Sequence, residues 1–301
     1  MNMRTGQRIA VLGMLVSSAL AALKIFAGIM ANSNSTLADG FESAGDVLAS
    51  GLVLLGLIIA AKPADSNHPY GHGRVEILSG LLIGFILFAA GAAISAHALL
   101  GAADVTSAPA AFAIWPLILS IVVKGWLVGI KSSYGRKIGS AALQADAWND
   151  SVDMFSGAVA LIALGLTLYD PIRFLRADHY GAFGVGLIVI FTGIRVAHET
   201  GMQLMDTMPD ELLLNKIRAA AQTVPGVRGV EKCYARKTGL QYHVDLHLEV
   251  DPEITVRASH EIASVVRDKI RDDLKWVADV LVHVEPSPNI QYSPHHRMNG
   301  T

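Results

Sequence analysis

Two apolar stretches of the sequence carry acidic and amide side chains at matching intervals. In "LADGFESAGD" the acids Asp39, Glu42 and Asp46 stand at offsets 0, 3 and 7. In "QADAWNDSVD" the offsets are 0, 3, 4 and 7, at Asp146, Asn149, Asp150 and Asp153. Such offsets place each set on one face of a helix. A carboxylate near the middle of a bilayer costs roughly 2.5 to 3.5 kcal/mol, so these acids indicate a functional site.

Two helices that face each other in this register would close a four-ligand site. The predicted ligands are Glu42, Asp46, Asn149 and Asp153. Because their carboxylates repel one another, the site predicts a bound cation. Asp39, Asp146 and Asp150 remain as accessory acids. The alternatives are acids that lie at helix ends in water, acids that lock helices together by hydrogen bonds, and a proton channel, which leaves the adjoining loop unexplained.

That loop, "KPADSNHPYGHGRVE", contains a second candidate metal site. Asp65, His68 and His72 stand at offsets 0, 3 and 7. One carboxylate and two imidazoles suit a first-row divalent ion. A single loop histidine is usually only solvated, but three ligand types within eight positions favour binding.

A third candidate site lies near the C-terminus. His243, Asp245 and His247 alternate onto one face of the predicted strand "YHVDLHLEV". Further candidates are Glu231 on the preceding strand, His260 at the start of a helix, and His283 and Glu285 on the last strand. Several of them converge if these strands share one sheet. The alternative is the ordinary polar face of a small sheet.

Composition indicates a polytopic α-helical membrane protein. Of 301 residues, 52% are hydrophobic and 17% charged, and the mean hydropathy is +0.42. Six apolar segments reach the roughly 20 residues that cross a bilayer, at 8–30, 36–60, 76–100, 112–134, 142–168 and 179–203. The first lacks a small-residue cleavage site and predicts a retained span. From about residue 208 the pattern predicts an αββαβ domain of the α+β class.

This pattern predicts three parts: a transmembrane domain at 1–207, a cytoplasmic domain at 208–288 and a disordered tail at 289–301. Basic residues accumulate at the N-terminus and in alternate loops, at Arg4, Arg8, Lys62, Arg74, Lys131, Arg136 and Lys137. The opposite loops hold only Arg173 and Arg176. Both termini are therefore predicted to be cytoplasmic, in a bacterial inner membrane. The single Cys233 predicts no disulfide, and a net charge of −2 gives no sign of a nucleic-acid partner.

Together, these motifs resemble those of the cation diffusion facilitator family of membrane metal exporters. The resemblance rests on the paired intramembrane motifs and on the segments "NHPYGHGRVE", "LMDTMPDE", "DLHLEV", "ASHEIA" and "VHVEP". The resemblance covers nearly the whole chain. It implies six transmembrane helices, a cytoplasmic metallochaperone-like domain, a homodimer, and efflux of divalent transition metals in exchange for protons. It implies no enzymatic activity.

The same three sites follow from the resemblance. It assigns transport to Glu42, Asp46, Asn149 and Asp153, the loop site to Asp65, His68 and His72, and an often binuclear site to His247, His260, His283 and Glu285, with Glu231 where relatives often have His. It also pairs Arg74 with Asp206 as a lock between the membrane and cytoplasmic parts.

The predicted transport ligands are all oxygens. Zinc-transporting relatives usually have a histidine where this sequence has Glu42 or Asn149. Carboxylate and amide oxygens favour Mn²⁺, or Fe²⁺ at the border, over Zn²⁺ and Co²⁺, although an oxygen site still holds zinc. Two alternatives to metal export are a membrane metal sensor without transport and an intramembrane metal-dependent hydrolase. The second would need a motif such as His-Glu-x-x-His, which the spans lack.

Overall fold

The computed structural model describes residues 2–288 except 61, 104, 106, 139–140 and 240. Six long helices come first: α1 (Asn2–Ala31), α2 (Asn34–Ala60), α3 (Arg74–Gly101), α4 (Ile114–Ile138), α5 (Ala141–Tyr169) and α6 (Ala177–Leu204). They are followed by α7 (Glu211–Gln222), β1 (Gly229–Thr238), β2 (Gln241–Val250), α8 (Val256–Asp273) and β3 (Val277–Pro286). The predicted fold class is confirmed. The predicted tail at 289–301 lies outside the described residues.

Within the described chain, five helices are long and apolar enough to cross a membrane, namely α1 and α3 to α6. The remaining long helix, α2, is of similar length, and it carries three acids. Its backbone hydrogen bonds are satisfied within the helix, as a membrane segment requires. Its three acids, like the three of α5, must be neutralised by neighbouring groups.

The chain divides into two compact units. Residues 1–55 and 79–199 form one, and residues 56–78 together with the chain from Thr200 onward form the other. In the first unit, small residues let helices approach closely: a Cβ on Gly91 of α3 would lie 2.7 Å from the Ile190 backbone nitrogen of α6. Close contact between glycine-bearing helix faces stabilises helix pairs where no hydrophobic effect acts between them.

The second unit contains a three-stranded sheet in the order β1-β2-β3. β1 and β2 are antiparallel and turn at Gly239, whose φ of +68° glycine adopts without strain. β2 and β3 are parallel and are joined through α8. Alternate residues of β2 are buried with side chains of α7 and α8 in a core that includes Ile217, Leu246, Val266 and Ile270. The opposite face of the sheet is left for polar side chains.

Candidate metal sites

The acids of α2 and α5 lie largely inside the first unit. Asp39, Glu42 and Asp153 are 0%, 7% and 3% exposed. Asp46 is half-buried and Asn149 is exposed in the single chain. The apolar lengths of α2 and α5 fix these positions along each helix, and the offsets of the acids place them on shared faces. Charged groups at this depth require neutralisation by a partner.

Three of the four predicted transport ligands are direct neighbours. The Asp46 carboxyl lies within hydrogen-bonding reach of the Asp153 carboxyl and of the Asn149 side chain. Glu42 experiences the charges of Asp39, Asp153 and Asp46, and its buried Oε2 has no hydrogen-bond partner among the described residues. Two carboxylates in contact hold together only with a proton or a cation between them.

The ligand atoms of this intramembrane group are more widely spaced than those of the other two candidate sites. Among the described residues, two groups of His, Cys, Asp and Glu place at least three ligand atoms within 4.8 Å of one another, and both lie in the second unit. Glu42, Asp46 and Asp153 are not one of them. The assignment of this transport site therefore stays a prediction.

Three buried lysines, which the sequence did not indicate as partners of these acids, lie among the intramembrane acids. Lys24 of α1 has its Nζ 2.7 Å from Asp39 Oδ2 and donates to Ser43 Oγ at 2.6 Å. Asp39 also accepts a hydrogen bond from Ser156 Oγ at 3.1 Å. Asp39 on α2 is thus held by groups from α1 and α5, which fits a structural role for this accessory acid.

On α4, Lys124 and Lys131 alternate with the acids of α5. Lys124 Nζ lies 2.6 Å from Asp150 Oδ1 and 2.5 Å from Asp153 Oδ2. Lys131 Nζ lies 2.8 Å from Asp146 Oδ2 and 2.5 Å from Asp150 Oδ2. The accessory acids Asp146 and Asp150 therefore belong to an ion-pair ladder between the two helices.

The ladder corrects one sequence interpretation. The charge asymmetry of the loops includes Lys131 as a loop residue, but Lys131 lies within α4 and is 2% exposed. Lys124 and Lys131 are seven positions apart, so they share a helix face. The seven-residue spacing of these lysines, matching that of the acids of α5, was the sequence signal that could have predicted the ion pairs. Four of the six acids of α2 and α5 pair with these three lysines, and among the described residues Glu42 and Asp46 have no ion pair.

The loop before α3 brings its three predicted ligands together. Asp65 Oδ1 lies 3.1 Å from His68 Nδ1, Asp65 Oδ2 lies 3.5 Å from His72 Nε2, and the two imidazole centroids are 4.4 Å apart. The backbone N–H of His68 donates to Asp65 Oδ1 at 2.7 Å, and this bond lowers the pKa of the Asp65 carboxyl. Gly71, at φ +79°, allows the turn that returns the chain to His72.

The sheet of the second unit gathers another candidate set of metal ligands. His247 and His283 are directly paired between the parallel strands β2 and β3. His247 Nδ1 lies 2.5 Å from Glu285 Oε1, and His283 Nε2 lies 3.6 Å from the same oxygen. Two imidazoles around one carboxylate oxygen match the ligand types of a transition-metal site.

Glu231 joins this set because of an irregularity in β1. The β1–β2 register shifts between Val230 and Lys232, so Glu231 is the extra residue of a bulge. Bulges re-aim a side chain, and here Glu231 reaches Glu285. Hydrogen bonding with Glu231 and then with His247 lowers the pKa of Glu285.

The remaining predicted ligands of this domain lie elsewhere. His260 is exposed on α8 and is not part of the described group of His247, His283 and Glu285. The His243 ring lies 5.7 Å from that of Tyr70, and burial lowers the pKa of His243. Asp245 Oδ2 lies 3.6 Å from Arg236 Nη1. Asp245 is therefore an ion-pair partner in this structure.

Arg74 and Asp206 meet within the second unit. Arg74 Nη2 lies 3.0 Å from Asp206 Oδ1, and both side chains are about half exposed. Asp206 has φ +56°, the left-handed conformation in which helices often end, just beyond α6. An exposed ion pair of this kind typically contributes at most about 1 kcal/mol to stability. Its role would therefore be to position the two segments that it joins.

Comparisons with known proteins match almost the whole chain. Metal tolerance protein C1 of Arabidopsis thaliana is 30% identical over 298 residues, which cover 94% of this chain and 63% of that protein. The manganese efflux system protein MneP of Bacillus subtilis is 28% identical over 284 residues, covering 93% and 96%. A solved structure of the C-terminal domain of MamM covers 25% of this chain and 96% of its own, at 37% identity and a TM-score of 0.25.

Two family models divide the chain between them. Residues 10–205 match the cation efflux transmembrane domain, and residues 209–287 match the cytoplasmic domain of cation efflux proteins. The first match contains the acids and lysines of α2, α4 and α5, and the second contains the histidine and glutamate set of the sheet. The chain therefore belongs to the cation diffusion facilitator family of cation efflux transporters.

Proposed function

We propose that this protein exports divalent transition-metal cations from the cytoplasm in exchange for protons, through Glu42, Asp46, Asn149 and Asp153. The observation that carries the proposal is the buried Glu42 Oε2, which has no hydrogen-bond partner among the described residues and is subject to the charges of Asp46 and Asp153. A buried carboxylate oxygen is costly without a partner, and an incoming cation would supply one.

Manganese is the favoured substrate, with Fe²⁺ next and Zn²⁺ or Co²⁺ as weaker candidates. The four proposed ligands offer only carboxylate and amide oxygens, which suit the harder ions of the first row. One relative, 28% identical, is named as a manganese efflux system protein. Because such ions prefer oxygen ligands, the site needs no histidine at the positions of Glu42 and Asn149.

Exchange follows from the fact that metal and proton use the same oxygens. Metal from the cytoplasm would displace protons from Glu42, Asp46 or Asp153, since a ligand must be deprotonated to coordinate. On the outer side, protons would replace the metal on these carboxylates. Rocking of helices around a fixed central site would expose it to one side of the membrane at a time.

The two sets in the second unit would bind metal as a regulatory ligand. Asp65, His68 and His72 form one, and His247 and His283 with Glu285 form the core of the other. In both sets, two imidazoles and a carboxylate fit a first-row ion. In the first set, the buried Nδ1 of His72 also lacks a hydrogen-bond partner among the described residues. Metal bound here would order the second unit in response to the cytosolic concentration.

We place the protein in a bacterial inner membrane as a homodimer, surrounded by lipid, with both termini in the cytoplasm. The domain boundaries of this proposal are 1–207 for transport and 208–288 for the cytoplasmic part. Light scattering of the purified protein tests the assembly, with twice the chain mass of 32.0 kDa expected. A mass of one chain would contradict it. Protease accessibility of the termini in sealed vesicles tests the orientation.

The proposed transport site is tested by substitution of its carboxylates. In proteoliposomes, Asp46→Asn and Asp153→Asn should each reduce Mn²⁺ flux at least about a hundredfold, because loss of a charged ligand costs several kcal/mol. Glu199→Gln is the matched control, since Glu199 is an exposed acid of α6 whose described ion pair is with Arg195 at 2.8 Å. Flux that survives in both site variants would refute the assignment. Binding without any flux in the parent would favour a sensor.

A further inference from the structure

Lys124 is held by three polar groups at the edge of the proposed transport site. Its side chain is 3% exposed. The ammonium lies 2.6 Å from Asp150 Oδ1 and 2.5 Å from Asp153 Oδ2, and it donates to Ser17 Oγ at 2.9 Å. An ammonium has three hydrogens, so each has its own acceptor. The positive charge therefore lies directly on Asp153, one of the four side chains that are proposed to bind metal.

We propose that Lys124 is a tethered cation that neutralises Asp153 in the unloaded transporter and that a divalent ion must displace. This inference rests on the proposed function, because it takes Asp153 as a transport ligand. It adds a specificity-determining residue on α4, a helix that contributes none of the four ligands. The ammonium stays charged throughout and only its position changes, so the exchanged protons are carried by Glu42 and Asp46.

Displacement from Asp153 would be inexpensive because the ammonium keeps two of its three partners. Asp150 Oδ1 and Ser17 Oγ remain within reach when the bond to Asp153 is broken. Asp150 is itself anchored by Lys131 at 2.5 Å, so this second carboxylate does not depend on Lys124 for neutralisation. The ladder thus offers the displaced ammonium a position that it already occupies in part.

A tethered ammonium also discriminates by charge. A monovalent ion that displaces it exchanges one positive charge for another and gains nothing at Asp153. A divalent ion brings a second charge, which the carboxylates Glu42 and Asp46 are placed to neutralise. Because Coulomb energies at short range are large in a site of low dielectric constant, this difference favours divalent ions over Na⁺ and K⁺.

The first test is Lys124→Gln in the full-length protein in proteoliposomes. Without the competing charge, the KM for Mn²⁺ should fall about tenfold, equivalent to about 1.4 kcal/mol. The kcat should fall as well, because nothing helps to expel the bound metal. Na⁺ at high concentration should inhibit Mn²⁺ flux in this variant and leave the parent unaffected. A merely structural lysine would lower kcat and leave both KM and the Na⁺ effect unchanged.

Two further variants keep this test decisive. Lys24→Gln with Asp39→Asn is the matched control, since it removes an equally buried lysine together with its paired acid, which is outside the four ligands. Its KM and its response to Na⁺ should match the parent. Lys124→Gln with Asp150→Asn removes one charge of each sign, so the site keeps its net charge. This double variant serves as the test if the single variant folds poorly. Its KM should fall like that of the single variant.

The outcomes separate this inference from the proposed function. If Asp153→Asn abolishes flux while folded Lys124→Gln and the double variant keep the parental KM, the tethered cation is refuted and the transport site stands. If Asp153→Asn transports normally, the site itself is refuted. A lower KM and sodium sensitivity in the Lys124 variants, absent from Lys24→Gln with Asp39→Asn, would support the inference.

Discussion

At the scale of the residue, we propose that Asn149 selects the metal of the transport site. Its amide is a neutral oxygen ligand beside Asp46, where an imidazole would offer nitrogen instead. The sequence alone was sufficient to predict Asn149, Glu42, Asp46 and Asp153 as ligands, because polar residues in apolar segments at helical spacing are conspicuous. It did not identify Lys124, because the pairing of a lysine with an acid depends on how two helices are rotated against each other.

We expect Asn149→His to shift the Zn²⁺/Mn²⁺ ratio of kcat/KM toward zinc by about tenfold, since imidazole is the better ligand for zinc. Competition between the two ions in the same proteoliposomes measures this ratio. Asn215→His, on α7 outside the membrane helices, is the control and should leave the ratio unchanged. An unchanged ratio in Asn149→His would mean that Asn149 does not select the metal.

Cys233 gives a second prediction at this scale. It lies in the core of the second unit at 3% exposure, and burial raises the pKa of its thiol to about 11. Only the thiolate is nucleophilic, so a maleimide should label Cys233 slowly at pH 8 in the folded protein and rapidly in denaturant. Mass spectrometry over time measures the rate. Fast labelling of folded protein would contradict the burial of this strand.

At the scale of the element, the six long helices and the αββαβ order follow directly from the sequence. Runs of about 20 apolar residues predict the helices, and alternation of apolar and polar residues predicts the strands, so few other assignments are left. The bulge at Glu231 does not follow, because one extra residue in a strand has no separate sequence signal. The convergence of His247 with His283 required the parallel pairing of β2 and β3, which sequence alone left open.

The contact between α3 and α6 gives a prediction about elements. Gly91→Ala should lower the thermal midpoint, because its Cβ would lie 2.7 Å from the Ile190 nitrogen and 2.8 Å from the Gly186 oxygen, so the helices must separate. Overpacking of this kind typically costs about 1–3 kcal/mol. Gly165→Ala, with nothing described within 4 Å of its Cβ, is the matched control. Equal midpoints for both variants would contradict the close packing.

At the scale of the whole molecule, transport requires that the membrane charges be balanced in every state. The six acids of α2 and α5 outnumber the three lysines that pair with four of them in the described part of the chain, and a membrane interior does not tolerate unneutralised carboxylates. Protons or metal must make up the difference, so each should replace the other. This balance explains why export of metal would be coupled to import of protons.

Proton-coupled export is tested by recording Mn²⁺ and H⁺ at the same time in proteoliposomes, with one dye for each ion inside the vesicles. When the lumen is acidified, we predict that Mn²⁺ enters while protons leave. We also predict that Glu42→Gln, which removes the carboxylate with the unpartnered buried oxygen, abolishes both movements together. Mn²⁺ entry without proton exit, or undiminished exchange in Glu42→Gln, would contradict proton-coupled export through this site.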